Sequence, residues 1–515
     1  MNQVYAASVS TKTLVHPVYR RACRSAELGP PPSARLAFNL THPSSHLDTL
    51  CLTSTQFSND AARASGDFLR APATLGQPTR HLRPVAAAPT PAAATTNRDF
   101  VILQRSYRQQ YSNIYFLRLH ALKAAAAEAA HRQWLDNTPG TVPAVYAAKI
   151  SAIPPGQRCA VVGTLYCDQK GKPNVLDDLS KELWISAPPP RVTYADGDAD
   201  LYYLEDESSR VTLTGAVVRA AGLATGAVIA VLGTENLVGD FEVEAVTFPG
   251  LAPQPALPDQ TEDRYVALVS GLQLAGRPPT LGLELMTEFL TGCLGGPGDQ
   301  ALAAAVTRLV VVGNALGSDS AGAPELAGGD GAAGLETLDG YLSTWAALMP
   351  VDLMPGADDP ANHVLPQQAL HISLFPRAGR LSTFESVTNP AWFDVDGVSL
   401  LGTAGQTIDD LVKYGIATAP IDVAERSLRW RHMAPSAPDT LWCYPFAEKD
   451  PFVLESTPHV YFIGNQATFQ SRLTRGSDGQ VCRIVCVPDF SHTSTLVLVN
   501  LRTLAAHTVS FTATF

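Results

Sequence analysis

Residues 307–316 read TRLVVVGNAL: four consecutive apolar residues, three of them valine, stopped by Gly313. An apolar run without polar alternation is what a strand covered on both faces requires. RYVALVSGL at 264–272 has the same form and also closes at a glycine, Gly271. The helix-like segment LGLELMTEFLTGCL (281–294) lies between the two runs, and LETLDGYLSTWAALM (335–349) follows them. Buried strands alternating with helices predict an α/β layered domain. VSLLGT (398–403), HVYFIGN (459–465), VCRIVCVPDF (481–490) and STLVLVNL (494–501) extend it as further strands, so the domain is expected over 262–515. The Gly/Ala-rich stretch 321–334 reads as an exposed loop within it.

Moving toward the N-terminus, APQPALPDQTED (252–263) is Pro-rich and polar, a domain boundary. Before it, CAVVGTLYC, RVTLTGAVV, GAVIAVLGT and FEVEAVTF are short β-branched runs punctuated by Gly and Pro. They predict a small closed barrel of the OB type over 145–250. An OB barrel can bind single strands by stacking bases over a basic groove. Here Asp196, Asp198, Asp200, Glu205, Asp206 and Glu207 face only Arg191 and Arg210 in the mid-section, so protein contact is the better reading. Residues 98–140 carry Tyr107, Tyr111, Ile114, Tyr115, Leu117, Leu119 and Leu122 followed by AAAAEAAHRQWL, a helical segment ended by Pro139-Gly140. Its aromatic spacing suits either a partner-binding stripe or a face packed on the chain's own core, and the second is favoured. Residues 1–97, with PVAAAPTPAAATTN, read as a disordered Ala/Pro-rich leader. Arg20, Arg21, Arg24 and Arg35 against Glu27 give it the look of a transit peptide.

The chain has 515 residues, a length of roughly three domains. Its 37 Lys+Arg against 48 Asp+Glu leave a net charge of −11, which excludes nonspecific nucleic-acid binding by overall charge. The hydrophobic share, 46%, is enough to bury a sizeable core. Eight scattered cysteines without a C-x-x-C pair fit a reducing compartment. The least polar stretch, AAGLATGAVIAVLG, is too short to span a membrane.

In open α/β sheets, ligands sit beyond the carboxyl ends of the strands. The residues there are Ser270-Gly271-Leu272, Gly313-Asn314-Ala315, the 354–360 segment MPGADDP, and Gly464-Asn465-Gln466. Their order is similar to that of the calcineurin-like metallophosphoesterases, which place D-x-H, G-D, G-N-H, a lone His and G-H-x-H after successive strands to hold two metal ions. Two cations about 3.5–4 Å apart need carboxylates and imidazoles to offset their repulsion. Ser270 and Leu272 stand where D-x-H belongs, Asn314 where the bridging Asp belongs, and Asn465 and Ala467 where the two histidines belong. The site is therefore expected to be a vestigial pocket of Ser270, Leu272, Gly313, Asn314, Asp358, Asp359, His432, Gly464 and Asn465, with no metal, no cofactor and no catalytic residue. Asp358-Asp359-Pro360 reads as a metal remnant or, better, a turn or cap. His432 reads as a lone metal histidine or, better, a hydrogen-bonded structural one. Cys482 and Cys486, four apart in one strand, point to one buried face. Walker, zincin and nucleophile-elbow motifs do not occur, and Gly313 with Gly317 is too little for a dinucleotide turn.

SYRQQYSNIYFLRLHAL, LPQQALH, DGVSLLGTAGQ, HMAPSAPDTLWCYPF, DPFVLESTPHVYFIGN and VPDFSHTSTLVLVNLRTL together resemble the small, B-type subunits of eukaryotic DNA polymerase delta. The likeness runs from about residue 99 to the C-terminus; the leader departs from it. It implies an OB barrel joined to an inactivated calcineurin-like phosphoesterase sandwich in a noncatalytic, nuclear accessory subunit. The implied partners are the C-terminal metal-binding domain of the catalytic subunit, the third subunit, the sliding clamp indirectly, and DNA through the holoenzyme. The rival readings are an active metal-dependent 3'-5' nuclease and a single-stranded DNA-binding module.

Overall fold

Short strands rich in β-branched residues form a first sheet that closes on itself. The computed structural model describes residues 83–84, 97–136, 144–172, 193–196, 199–275, 277–317, 330–415 and 419–512. Most of the leader, the Pro139-Gly140 stop, Asp198 and most of the 321–334 insert lie outside these residues. Strands β1 (Val145–Ala147), β2 (Cys159–Asp168), β3 (Leu201–Glu205), β4 (Arg210–Thr214), β5 (Val228–Glu235) and β6 (Phe241–Thr247) form one sheet. Its order is β1-β2-β3-β4-β6-β5, and an additional β2–β5 pairing closes it into a barrel. Tyr202, Leu204, Val211 and Leu213 point inward, while Tyr203 and Arg210 face out. The run RVTLTGAVV divides at Gly215, where a φ of 116° starts the short helix α2 (Ala216–Ala220). Helix α1 (Ser112–Ala130) lays Leu119, Leu122, Ala126 and Ala130 on Ala160, Val162, Val228 and Ala230 of the barrel's outer face. It is the chain's own core that this helix covers.

Residues 252–263 have no regular structure, yet they are pinned: Gln254 donates to Val481 O at 2.8 Å and accepts from Val481 N at 2.8 Å. Two mixed sheets follow. In the first, β10 (Phe384–Ser386), β9 (Val351–Met354), β8 (Val306–Val312) and β7 (Tyr265–Val269) run parallel, and β16 (Thr495–Asn500) and β17 (Ala506–Ser510) join antiparallel. In the second, β11 (Ala391–Val395) pairs with β12 (Val398–Thr403), followed by β13 (Val460–Gln466), β15 (Val481–Pro488) and β14 (Gln470–Arg475).

The strands alternate between two cores, which stacks the layers. Val266, Leu268, Val310 and Val312 meet Leu400, Val460, Phe462 and Val485 between the sheets. Ala267, Val269, Leu309 and Val311 turn to the opposite side. There they meet α3 (Leu281–Thr291) and α5 (Asp330–Ala346), with α4 (Pro297–Ala304) beside them. Helices α6 (Gln406–Tyr414) and α7 (Pro420–Arg429) cover the second sheet, where Cys482 and Cys486 are buried on one face with Tyr461 and Ile484. Within the expected leader, Arg83 donates to Leu290 O (2.7 Å) and to Val306 O (3.0 Å) at the start of β8. Among the described residues no helix is long and apolar enough to cross a membrane.

Candidate functional site

The ends of β7, β8, β9, β12 and β13 converge, so the loops after them share one place. A Cβ on Gly313 would lie 2.6 Å from Ala404 Cβ, 3.0 Å from Gly356 Cα and 3.1 Å from Asn465 Nδ2. Gly313 and Asn314 are both left-handed, at φ 78° and 53°, as is Asn465 at 56°. Asparagine tolerates that backbone better than other non-glycine residues, which gives these two amides a structural reason to stand there.

The cluster is tied together by its own hydrogen bonds, with the buried Asn465 Oδ1 left without a partner among the described residues. Ser270 Oγ donates toward Pro488 O (3.1 Å) and accepts from Asn465 N (2.9 Å). Asn465 Nδ2 donates to Ala404 O (2.8 Å) and Val312 O (3.2 Å), so two carbonyls fix the amide nitrogen. Asn314 and Asp358 exchange two bonds of 3.1 Å. The buried Asp359 carboxylate accepts from Gly356 N (2.8 Å), Leu316 N (2.9 Å) and Ala315 N (3.3 Å). Burial pushes its pKa up, against the pull of those N–H groups. This is a turn clasp, with its oxygens spent on backbone.

The structure thus brings together Ser270, Gly313, Asn314, Asp358, Asp359, Gly464 and Asn465. Leu272 is not among them. The chain turns at Gly271, φ 68°, and Leu272 drops into the core beside Leu274 and Met286. His432 is not among them either; its ring bonds are to Asp450 and Ala434. The donors a dinuclear metal centre needs do not fit here, because amides and a hydroxyl occupy the convergent positions and the Asp359 oxygens are engaged. Among the described residues no three His, Cys, Asp or Glu side chains are grouped so as to hold a metal ion.

Of the amides behind this cluster, sequence reading named Gln466 and missed Gln367, Asn389 and Gln406. Gln367 Nε2 donates to Gly356 O (2.9 Å), and Gln367 Oε1 accepts from Asn389 (2.8 Å) and Gln406 (2.9 Å). Gln466 donates to Asp409 (3.1 Å). Their signal was present: Gln406 and Gln466 follow strand-end glycines, as Asn314 and Asn465 do.

A second polar centre is fully buried. Arg118, from α1, donates to Asp450 Oδ2 (2.9 Å), Gly226 O (3.1 Å), Pro435 O (2.6 Å) and Ala437 O (2.9 Å). Gly226 makes room for it, since a Cβ there would stand 2.5 Å from the guanidinium. His432 bonds the same Asp450 oxygen at 2.9 Å and accepts from Ala434 N at Nδ1. That backbone donor assigns the ring proton to Nε2 and leaves no place for a second one. Burial, and then the Arg118 charge, depress the His432 pKa to about 4. Burial alone would raise Asp450; His432 and Arg118 hold it well below the usual carboxylate range.

A pH dependence follows from the depressed histidine. Below its ordinary value of 6.5, the unfolded chain takes up a proton that the folded chain refuses until about pH 4. The His432 contribution is therefore intact above pH 6.5 and is lost as pH falls toward 4. Asp409, pushed up to about 6 by burial, acts in the opposite sense over part of this range. Denaturation midpoints from about pH 7 to about pH 4 are expected to fall more steeply in the wild type than in His432→Gln; parallel curves would refute the assignment.

Comparison with known proteins gives concordant matches. The family model of the DNA polymerase delta OB-fold domain matches residues 110–246, and that of the B-type subunits of DNA polymerases alpha and epsilon matches 266–471. The DNA polymerase delta small subunit of Arabidopsis thaliana is 43% identical over 424 residues, 80% of this chain and 93% of that protein. That of Saccharomyces cerevisiae is 34% identical over 447 residues, 79% of this chain and 90% of its own. The DNA polymerase II small subunit of Archaeoglobus fulgidus is 26% identical over 297 residues, 55% of this chain and 59% of that protein.

Proposed function

The chain belongs to the DNA polymerase delta small-subunit family, accessory subunits of a replicative polymerase, and from that premise we propose that it is a noncatalytic scaffold whose phosphoesterase-like sandwich has lost its metal site. The observation that carries this is the convergence of Ser270, Asn314 and Asn465 at the strand ends, with Asn465 Nδ2 committed to two backbone carbonyls. A calcineurin-like ancestry accounts for the mixed two-sheet sandwich and for five loops meeting at one end. The pocket of Ser270, Gly313, Asn314, Asp358, Asp359, Gly464 and Asn465 is then a remnant that now holds loops together. The proposed partners are the C-terminal metal-binding domain of the catalytic subunit and the third subunit, with the sliding clamp and DNA reached through the assembly in the nucleus.

The direct test is co-expression of the full chain with the catalytic subunit of the same organism's polymerase. A stoichiometric complex is expected, and none at micromolar concentrations would refute the scaffold. The nuclease reading calls for bound metal and for turnover with manganese. Asn314→Asp is expected to show neither, because one carboxylate cannot hold two cations. Phosphodiesterase activity in that single variant would contradict the account. The single-strand reading has an aromatic pair in its favour, Tyr166 and Tyr203, with Arg210 5.3 and 5.0 Å from their rings. Glu205, however, pairs with that arginine, which offsets the charge a phosphate would need beside the two rings.

A further inference from the structure

The segment just before α1 presents an apolar surface that the scaffold has not covered. Leu103 is 90% exposed, Tyr107 63% and Tyr111 44%, and from a distant part of the chain Trp442 is 67% exposed. Tyr444, two residues after Trp442, ties the two parts together: its ring lies 5.6 Å from that of Tyr107. Its hydroxyl accepts from Ser106 N (2.5 Å) and donates to Gln104 O (3.3 Å). Residues 101–110 form no helix or strand, yet they are fastened again by Ile102 N to Gln368 Oε1 (3.0 Å). An extended segment pinned in place while its large side chains face solvent is a preorganised platform. Exposed Arg105 and Arg108 stand within it without an ion pair among the described residues.

We infer that Leu103, Tyr107, Tyr111 and Trp442, flanked by Arg105 and Arg108, form the docking surface for an acidic segment of the catalytic subunit that carries apolar anchors. The inference rests on the scaffold reading and places one of its contacts. Tyr, Trp and Arg are the residues that dominate protein interfaces. Two uncompensated guanidiniums in a chain of net charge −11 select an acidic partner. A single-stranded nucleic acid fits less well. Leu103 is aliphatic and offers no stacking face, and two cations do not make a groove that tracks a backbone.

The test is the affinity of the full chain for the co-purified catalytic subunit, compared with L103S/Y107A/W442A and with R105E/R108E. The second variant alters no packed side chain, so it reports even if the first is perturbed. Each is expected to bind about 30-fold more weakly or worse, the loss that one hot-spot residue carries, with an unchanged melting temperature. R105E/R108E should also flatten the salt dependence of the association. If the wild type binds and both variants bind equally well, this inference alone falls. If the wild type fails to bind, it falls together with the scaffold. Normal assembly accompanied by lost oligonucleotide affinity would overturn it in favour of a nucleic-acid surface.

Discussion

Arg118→Ala is expected to destabilise the folded chain by about 3–5 kcal/mol, the range for removing one partner of a buried ion pair. Asp450, fully buried, would keep its charge with one ring N–H as remaining side-chain partner, and the carbonyls of Gly226, Pro435 and Ala437 would lose a charged donor. Arg118→Met keeps much of the volume and should cost nearly as much, because the penalty arises from the stranded carboxylate. Arg118→Met with Asp450→Leu should recover part of the loss, since an apolar replacement of both partners leaves no bare charge. Chemical denaturation of the three variants decides this. A loss below about 1 kcal/mol for Arg118→Ala, the scale of an exposed pair, would show the network to be incidental.

Asp359→Ala is the second large effect. It removes the acceptor of the Ala315, Leu316 and Gly356 N–H groups in a place already crowded by Ala404, Asn314 and Asn465. Each orphaned buried donor costs about 1–3 kcal/mol, so the sum is expected to be about 3 kcal/mol or more. Asp359→Asn keeps one oxygen and turns an amide N–H toward the same donors, which predicts a smaller loss of the same sign. Hydrogen exchange should show the change concentrated at 313–317 and 356–359. Faster exchange spread evenly over the sheets would mean that Asp359 does not act as the local clasp.

The apolar runs were legible because burial on both faces leaves a continuous signature: β7 and β15 fall within strings that read as strands, and β2, β5, β8 and β13 overrun theirs by one residue. Two other strands were not. β14, Gln470–Arg475, is half-exposed along most of its length, and β3, Leu201–Glu205, sits among the acids of the barrel's mid-section. No continuous apolar run marks either strand, and pairing with β15 or with β2 and β4 supplies the stability. Within the site, position after a strand was enough to place Asn314 and Asn465. It misplaced Leu272, since one left-handed glycine reverses the direction of the next side chain, and His432, whose partners come from other parts of the fold. Arg118 was readable in principle: it lies four residues after Ile114 and four before Leu122, in the middle of a buried helical face. An arginine there implies a distant carboxylate, but nothing local names Asp450.

Three hundred and thirty-two residues separate Arg118 from Asp450. During synthesis, the first helix and the whole barrel leave the ribosome long before the acid that neutralises them exists. A product cut short anywhere before residue 450 would hold a guanidinium at the seam with no counter-ion. Burial of that guanidinium is thereby coupled to the arrival of residues 435–450, which bring its carboxylate and two of its carbonyl acceptors.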